Sequence, residues 1–215
     1  MIRSCLRLFA ASLLLAATSI SSAVPPRFPL SNEITWPATM KTPPSTGMWM
    51  GKFYVALEKT TLDDVRSATK LGTILHRGDA SESTYWLCFT NLKDKNAERI
   101  WISSNSEMGG PDHAVTSIIA ELAQTNFATA ECPALPARLK PLSVGYGIWI
   151  GSAMTHIQKA LGKPSFTKQD WNFYNHASKV PGNCKPDGFD TLNLLSLQQT
   201  KGRLTTLFLD QVTSC

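Results

Sequence analysis

The four histidines of this chain, His76, His113, His156 and His176, are widely separated, and none has a partner at helical spacing. No Cys-x-x-Cys pair occurs. A metal centre built on adjacent ligands is therefore not expected. Also missing are a Gly-x-Ser-x-Gly nucleophile elbow and a glycine loop able to cradle phosphate, which removes the commonest signatures of serine hydrolases and nucleotide-binding enzymes. Beyond the first two dozen residues no apolar run approaches the ~20 residues needed to span a bilayer. Acidic residues are scarce in one half. Residues 24–132 carry 10 basic and 12 acidic side chains, whereas residues 133–215 carry 9 basic and only 4 acidic. The basic residues are scattered, so a nucleic-acid stripe is not expected. A cationic second half instead favours an acidic protein partner, or simply a solvated face.

The start of the chain is an address. Arg3 and Arg7 precede an apolar run from Leu8 to Ala17, and Ser21-Ser22-Ala23 offers small residues before a cut ahead of Val24. That pattern predicts a signal peptide over residues 1–23 and a periplasmic or secreted mature protein without an integral membrane segment. Cys5 lies before the apolar run and is not placed as a lipoprotein cysteine. Four cysteines remain in the mature chain: Cys88, Cys132, Cys184 and Cys215. An even number in an exported chain points to two disulfides. Three pairings are open, and Cys88–Cys132 with Cys184–Cys215 is the economical one, each bridge closing a loop within one half. Each would contribute on the order of 3–4 kcal/mol.

Residues 24–46 hold six prolines and read as an extended, wrapping arm, on which Phe28 and Trp36 are candidates to dock. Two similar units are expected to follow, over residues 47–132 and 143–215, joined by a proline-containing linker at 133–142. In the first, Thr60 or Thr61 caps a helix with Asp63 and Asp64 in its first turn and Leu62, Val65 and Ala68 on its apolar face. Strands are expected at Thr84–Phe89, around Arg99–Ile102, and over Ala114–Leu122. In the second, a lead from Tyr146 to Ile150 precedes a helix with Ser152 as N-cap. Met154, Ile157 and Leu161 form its stripe, and Gly162 with Pro164 stops it. Trp171–Tyr174 and the hairpin of Leu192–Leu197 with Leu204–Val212 complete it. Tyr54, Leu62, Val65 and Ala68 correspond to Tyr146, Met154, Ile157 and Ala160 at one offset of 92. The expected fold is therefore α+β: two tandem α-β-β-β units, each a short helix on an antiparallel sheet.

Chemistry is thin. Asp112-His113 sits in a Gly-Gly-Pro turn without a nameable third group, and a polar turn explains it more simply. Asp63-Asp64 suits a helix start. Asp187 with Asp190 lacks the ligand count of a calcium site. No catalytic residue, metal or cofactor is assigned. The aromatics are more informative: Trp86, Trp101, Trp171 and Tyr174 fall on strands. They either fill the core between units or pave an open sheet face for binding. Trp101, Trp171 and Tyr174, with Lys168, are the candidate binding residues.

The stretch Gly151-Ser152 through Gly162-Lys163-Pro164, followed by an aromatic strand and a hairpin, resembles the helix signature of small envelope proteins of the SmpA/OmlA (BamE-like) type. The doubled α/β unit with a disulfide possible in each half resembles the secreted β-lactamase inhibitory protein family, whose members present a sheet surface and loops to an enzyme. Export, small rigid units, aromatic strands and the lack of an assembled active site point to a non-catalytic, exported tandem-repeat protein that binds another protein, as an inhibitor or immunity protein for an envelope-acting enzyme. Envelope assembly or maintenance is the alternative, and an enzyme is the third.

Overall fold

The computed structural model describes residues 23–27, 37–93, 96–105, 109–110, 112–184 and 188–215. Most of the expected signal segment, Phe28, Trp36 and Asp187 lie outside the described residues.

Two antiparallel sheets organise the chain. The small one orders β2-β1-β7, from Gly47–Met50 (β1), Phe53–Ala56 (β2) and Leu142–Ser143 (β7). The large one has eight strands in the order β3-β4-β5-β6-β11-β10-β9-β8. These are Leu75–Arg77 (β3), Thr84–Leu92 (β4), Ala97–Asn105 (β5), Ser117–Leu122 (β6), Phe166–Lys168 (β8), Trp171–Val180 (β9), Phe189–Thr200 (β10) and Arg203–Ser214 (β11). Two α-helices, Leu62–Thr69 (α1) and Met154–Leu161 (α2), complete the regular structure among the described residues.

The expectation of two α-β-β-β units is overturned. Strand accounts for 46% of the chain and helix for 14%, and the long strands form one continuous sheet. The join lies between β6 and β11, where Ile118, Ile119 and Ala120 oppose Leu209, Phe208 and Leu207. The physical reason is the edge. A separate sheet ending at β6 or β11 would expose a row of unpaired N–H and C=O groups on an apolar strand. Pairing the two strands satisfies both rows and merges the cores. One cluster accordingly runs from Val65 on α1 through Ile100, Ile118 and Leu207 to Ile157 on α2.

Both helices and the small sheet pack on the same face of the large one. Leu62 and Val65 of α1, Met154 and Ile157 of α2, and Met48, Met50 and Val55 of β1 and β2 all join that cluster. The start of α1 follows from its sequence. Thr61 Oγ1 accepts from Asp64 N at 3.1 Å, and Thr61 N donates to Asp64 Oδ2 at 3.0 Å. This capping box satisfies two orphan donors, and the hydrogen bonds from Thr61 hold the Asp64 carboxyl below its ordinary pKa. The start of α2 differs from expectation. Its N-cap is Ala153, without a side-chain cap, and Ser152 Oγ accepts instead from Trp149 N at 3.0 Å. The expected lead strand at Tyr146 is a 3-10 turn, Gly145–Gly147, with Tyr146 exposed at φ 61°.

The loops are tied to the sheet. Cys88 bonds to Cys132 and Cys184 to Cys215, with Cα separations of 4.6 and 5.4 Å. Residues 133–135 run beside Thr90, whose N donates to Pro133 O and whose O accepts from Leu135 N. Residues 37–40 run along the β9 edge beyond β8. There Met40 N donates to Asn175 O at 3.0 Å, Asn175 Nδ2 donates to Pro37 O at 3.2 Å, and His176 Nδ1 lies 2.9 Å from Met40 O. No described helix is long and apolar enough to cross a membrane.

Candidate functional site: a trough across the open face of the sheet

Side chains alternate between faces along a strand, and residues opposite one another across a ladder share a face. The register therefore maps the face away from the helices. One row reads Trp86, Ser103, Ser117, Asp210, Leu194, from β4 to β10. The next reads Cys88, Trp101, Ile119, Phe208, Ser196, Phe173, Phe166, from β4 to β8. The second row is aromatic and closed. Trp86, Trp101, Ile119, Trp171, Phe173 and Phe208 form a buried cluster with Ala23 and the Cys88–Cys132 bridge. Phe166 stacks on Phe173 with ring centroids 4.2 Å apart, and Trp171 lies 5.8 Å from Phe208.

The first row and the strand ends beyond it border hollows. Three adjoining hollows cross the sheet there. One, of about 220 Å³, lies between residues 24–27 and Arg77, Thr84, Trp86 and Ser103. It shares Thr84 and Ser103 with a second of about 210 Å³, lined also by Asn105, Thr116, Ser117, Asp210 and Gln211. That hollow shares Val212 with a third of about 470 Å³ over Ala177, Thr191 and Leu192, flanked by Lys179 and Asp190. Together they make a trough with a polar middle and an apolar end.

Asp210 is the chemically distinctive group in it. Its Oδ2 is buried without a hydrogen-bond partner, and Ser117 supplies the one side-chain hydrogen bond to the carboxyl. Burial outweighs that bond and pushes the pKa up to about 6. Ser103 Oγ, in the same row, is also buried without a partner. In the row beyond the aromatic one, Arg99 faces Glu121. Desolvation dominates both: it lowers the Arg99 pKa and raises that of Glu121, and their mutual attraction opposes each shift.

The candidate binding residues divide between the faces. Trp101 and Trp171 lie in the aromatic cluster, 2% and 8% exposed, and so belong to its packing rather than to an exposed platform. Lys168 is exposed on the edge strand β8, opposite Trp171. Tyr174 is on the other face, fully buried in the helix-side core, and its hydroxyl has no partner. Burial raises its pKa. Odd and even positions in β9 put Trp171 and Tyr174 on opposite faces.

His113 of the Gly-Gly-Pro turn and His176 also lie apart. His113 stacks on Tyr85 at 4.0 Å, with His76 on the other side of that ring at 4.3 Å. His176 is on β9, five strands away from the β4 strand that carries Tyr85, a separation of about 24 Å at ~4.8 Å per strand spacing. Asp190 pairs with Lys179 at 3.1 Å. Among the described residues no three His, Cys, Asp or Glu side chains cluster as metal ligands.

Sequence reasoning passed over Asp210, Ser103 and Ser117. The available signal was Asp210 itself, an acid interrupting the apolar run Leu207-Phe208-Leu209 near the end of an expected strand. No family model, curated protein or solved structure matches the chain.

Proposed function

We propose that this chain is an exported, non-catalytic protein-binding module that seats a segment of a partner protein in the trough, acting as an inhibitor or immunity factor for an envelope-acting enzyme. The observation that carries this reading is the trough. It is an open, elongated depression on a continuous eight-stranded sheet whose loops are fastened by two disulfides. A rigid floor keeps the ordering cost of association low. Polar groups in the middle supply orientation, and Leu192 and Val212 at one end supply apolar contact. The cationic second half, nine basic against four acidic residues, favours an acidic partner segment.

The test is recovery of a stoichiometric partner from periplasmic extract with the tagged mature protein. It is run beside a double variant, Leu192→Arg with Val212→Arg. Both side chains are only partly buried, so the variant retains the fold. Capture by the native protein and loss with the variant is the expected result. Equal capture by both, or capture by neither, overturns the reading.

A further inference from the structure

The Nε1–H groups of Trp86 and Trp101 converge on a single oxygen. Both donate to the backbone carbonyl of Ala23, at 2.8 and 2.9 Å. The two rings are 3% and 2% exposed, and Ala23 itself is 7% exposed within their cluster. This is a built acceptor site: two buried donors aimed at one point, within an apolar cluster that also holds the Ala23 methyl. Its occupant is a residue that the sequence marks for removal. Ser21 and Ala23 are the small residues that precede the expected cut before Val24.

Cleavage there adds water across the Ala23–Val24 peptide bond. Ala23 leaves with a carboxylate, and Val24 keeps an ammonium. The mature chain then retains both indole donors while their acceptor has gone. Two N–H donors facing an apolar pocket without a protein acceptor are poorly satisfied, so the site favours a replacement. Its chemistry is specific. Two N–H donors suit an oxygen that accepts twice, and a carboxylate does so more strongly than a neutral carbonyl. The Val24 ammonium, one bond from the vacated carbon, adds a cation of the right sign. The Ala23 methyl packs within the aromatic cluster, so a small side chain suits the position.

We infer that the mature protein binds the carboxyl terminus of a peptide ending in alanine, with Trp86 and Trp101 holding its carboxylate. The site lies at the end of the trough bounded by residues 24–27. It does not depend on the partner proposed above, only on export and cleavage before Val24.

The experiment uses mature protein purified from the periplasm and dialysed. Amino-terminal sequencing comes first and is expected to read Val24-Pro25-Pro26. A terminus at Ala23 or earlier overturns the site. Acetyl-alanine is then titrated while the indole N–H resonances are followed by NMR. Saturable shifts of two indoles, assigned through Trp86→Phe and Trp101→Phe, are expected. Acetyl-alanine amide should bind at least tenfold more weakly, because it lacks the charge. Each Trp→Phe variant should weaken binding about tenfold, the effect of one charge-assisted hydrogen bond. If Trp101→Phe fails to fold, Trp86→Phe and the native spectra suffice. No indole shift, or equal binding of the amide, overturns the inference. The leader's own end, Ser-Ile-Ser-Ser-Ala, is the control for source. Binding of that peptide without binding of acetyl-alanine also overturns a general alanine-terminus site.

Discussion

Trp149 Nε1 donates to Glu98 Oε2 at 2.9 Å, across 51 residues of sequence. The bond ties the approach to α2 to β5, in the other half of the sheet. Glu98 is fully buried, and it also accepts from Asn91 Nδ2 at 2.6 Å and from Lys93 Nζ. Three donors on one buried carboxylate make it a fastener between the halves. Glu98→Ala leaves the Asn91 and Trp149 donors without an acceptor, while the half-exposed Lys93 turns to water, and should destabilise the protein by about 2–4 kcal/mol. Trp149→Phe removes one donor and should cost about 1–3 kcal/mol, leaving the carboxylate with two partners. Urea unfolding of both variants checks the order, and a larger loss for Trp149→Phe would contradict it.

Asp210 predicts a pH dependence of stability. Its folded pKa is about 6, above the ordinary 3.8. Between those values the folded protein binds more protons than the unfolded chain, so stability falls as pH rises from about 4 to about 6. A shift of about two units corresponds to something on the order of 3 kcal/mol. Asp210→Asn should flatten that part of the profile and stabilise the protein at neutral pH. Thermal unfolding from pH 4 to 8 reads both effects. An unchanged profile in the variant would assign the dependence elsewhere.

The Tyr174 hydroxyl has no hydrogen-bond partner in the core. Its burial is a cost without a compensating bond. Tyr174→Phe should therefore be neutral or stabilising by up to about 1 kcal/mol, and should not affect partner capture. A loss of more than about 1 kcal/mol would mean that the hydroxyl has an acceptor after all.

The two bridges should differ in weight. Cys88–Cys132 lies in the buried aromatic cluster, whereas Cys215 is exposed at the chain end and Cys184 is only half-buried. Replacing the first pair by alanine removes both a cross-link and core volume, and should cost about 3–5 kcal/mol. Replacing the second loses the cross-link alone, about 2–4 kcal/mol. Denaturant melts of the two double variants provide the comparison.

Much of the local structure was legible in the sequence. Thr60 or Thr61 with Asp63 and Asp64 marked the start of α1, because caps and first-turn acids act within a few residues; of the two threonines, Thr61 is the cap. The expected hairpin of Leu192–Leu197 with Leu204–Val212 closes at Lys201-Gly202 for a similarly local reason, with both residues at positive φ. The cysteine pairing was suggested by economy of loop length, and the bridges are at Cys88–Cys132 and Cys184–Cys215. Grouping Tyr174 with Trp171 by chemical kind was misleading, because parity within β9 places them on opposite faces. Ser152 as a cap was misleading for a different reason. A serine before a helix can bond to several nearby donors, and tertiary packing placed its oxygen on Trp149 N.

By itself the sequence determined where chain segments bend, which residues face together within a strand, and which cysteines lie near enough to bridge cheaply. These depend on interactions over a few residues, or on short loops. Tertiary structure alone decided that β6 pairs with β11, merging two sets of strands into one sheet. Edge pairing joins residues about 90 apart, such as Ile119 and Phe208. Its hydrogen bonds are made by backbone groups common to every residue, so no side chain announces them. The trough, the buried Asp210 and the convergence of Trp86 and Trp101 on Ala23 all follow from that pairing or from the segment laid across it.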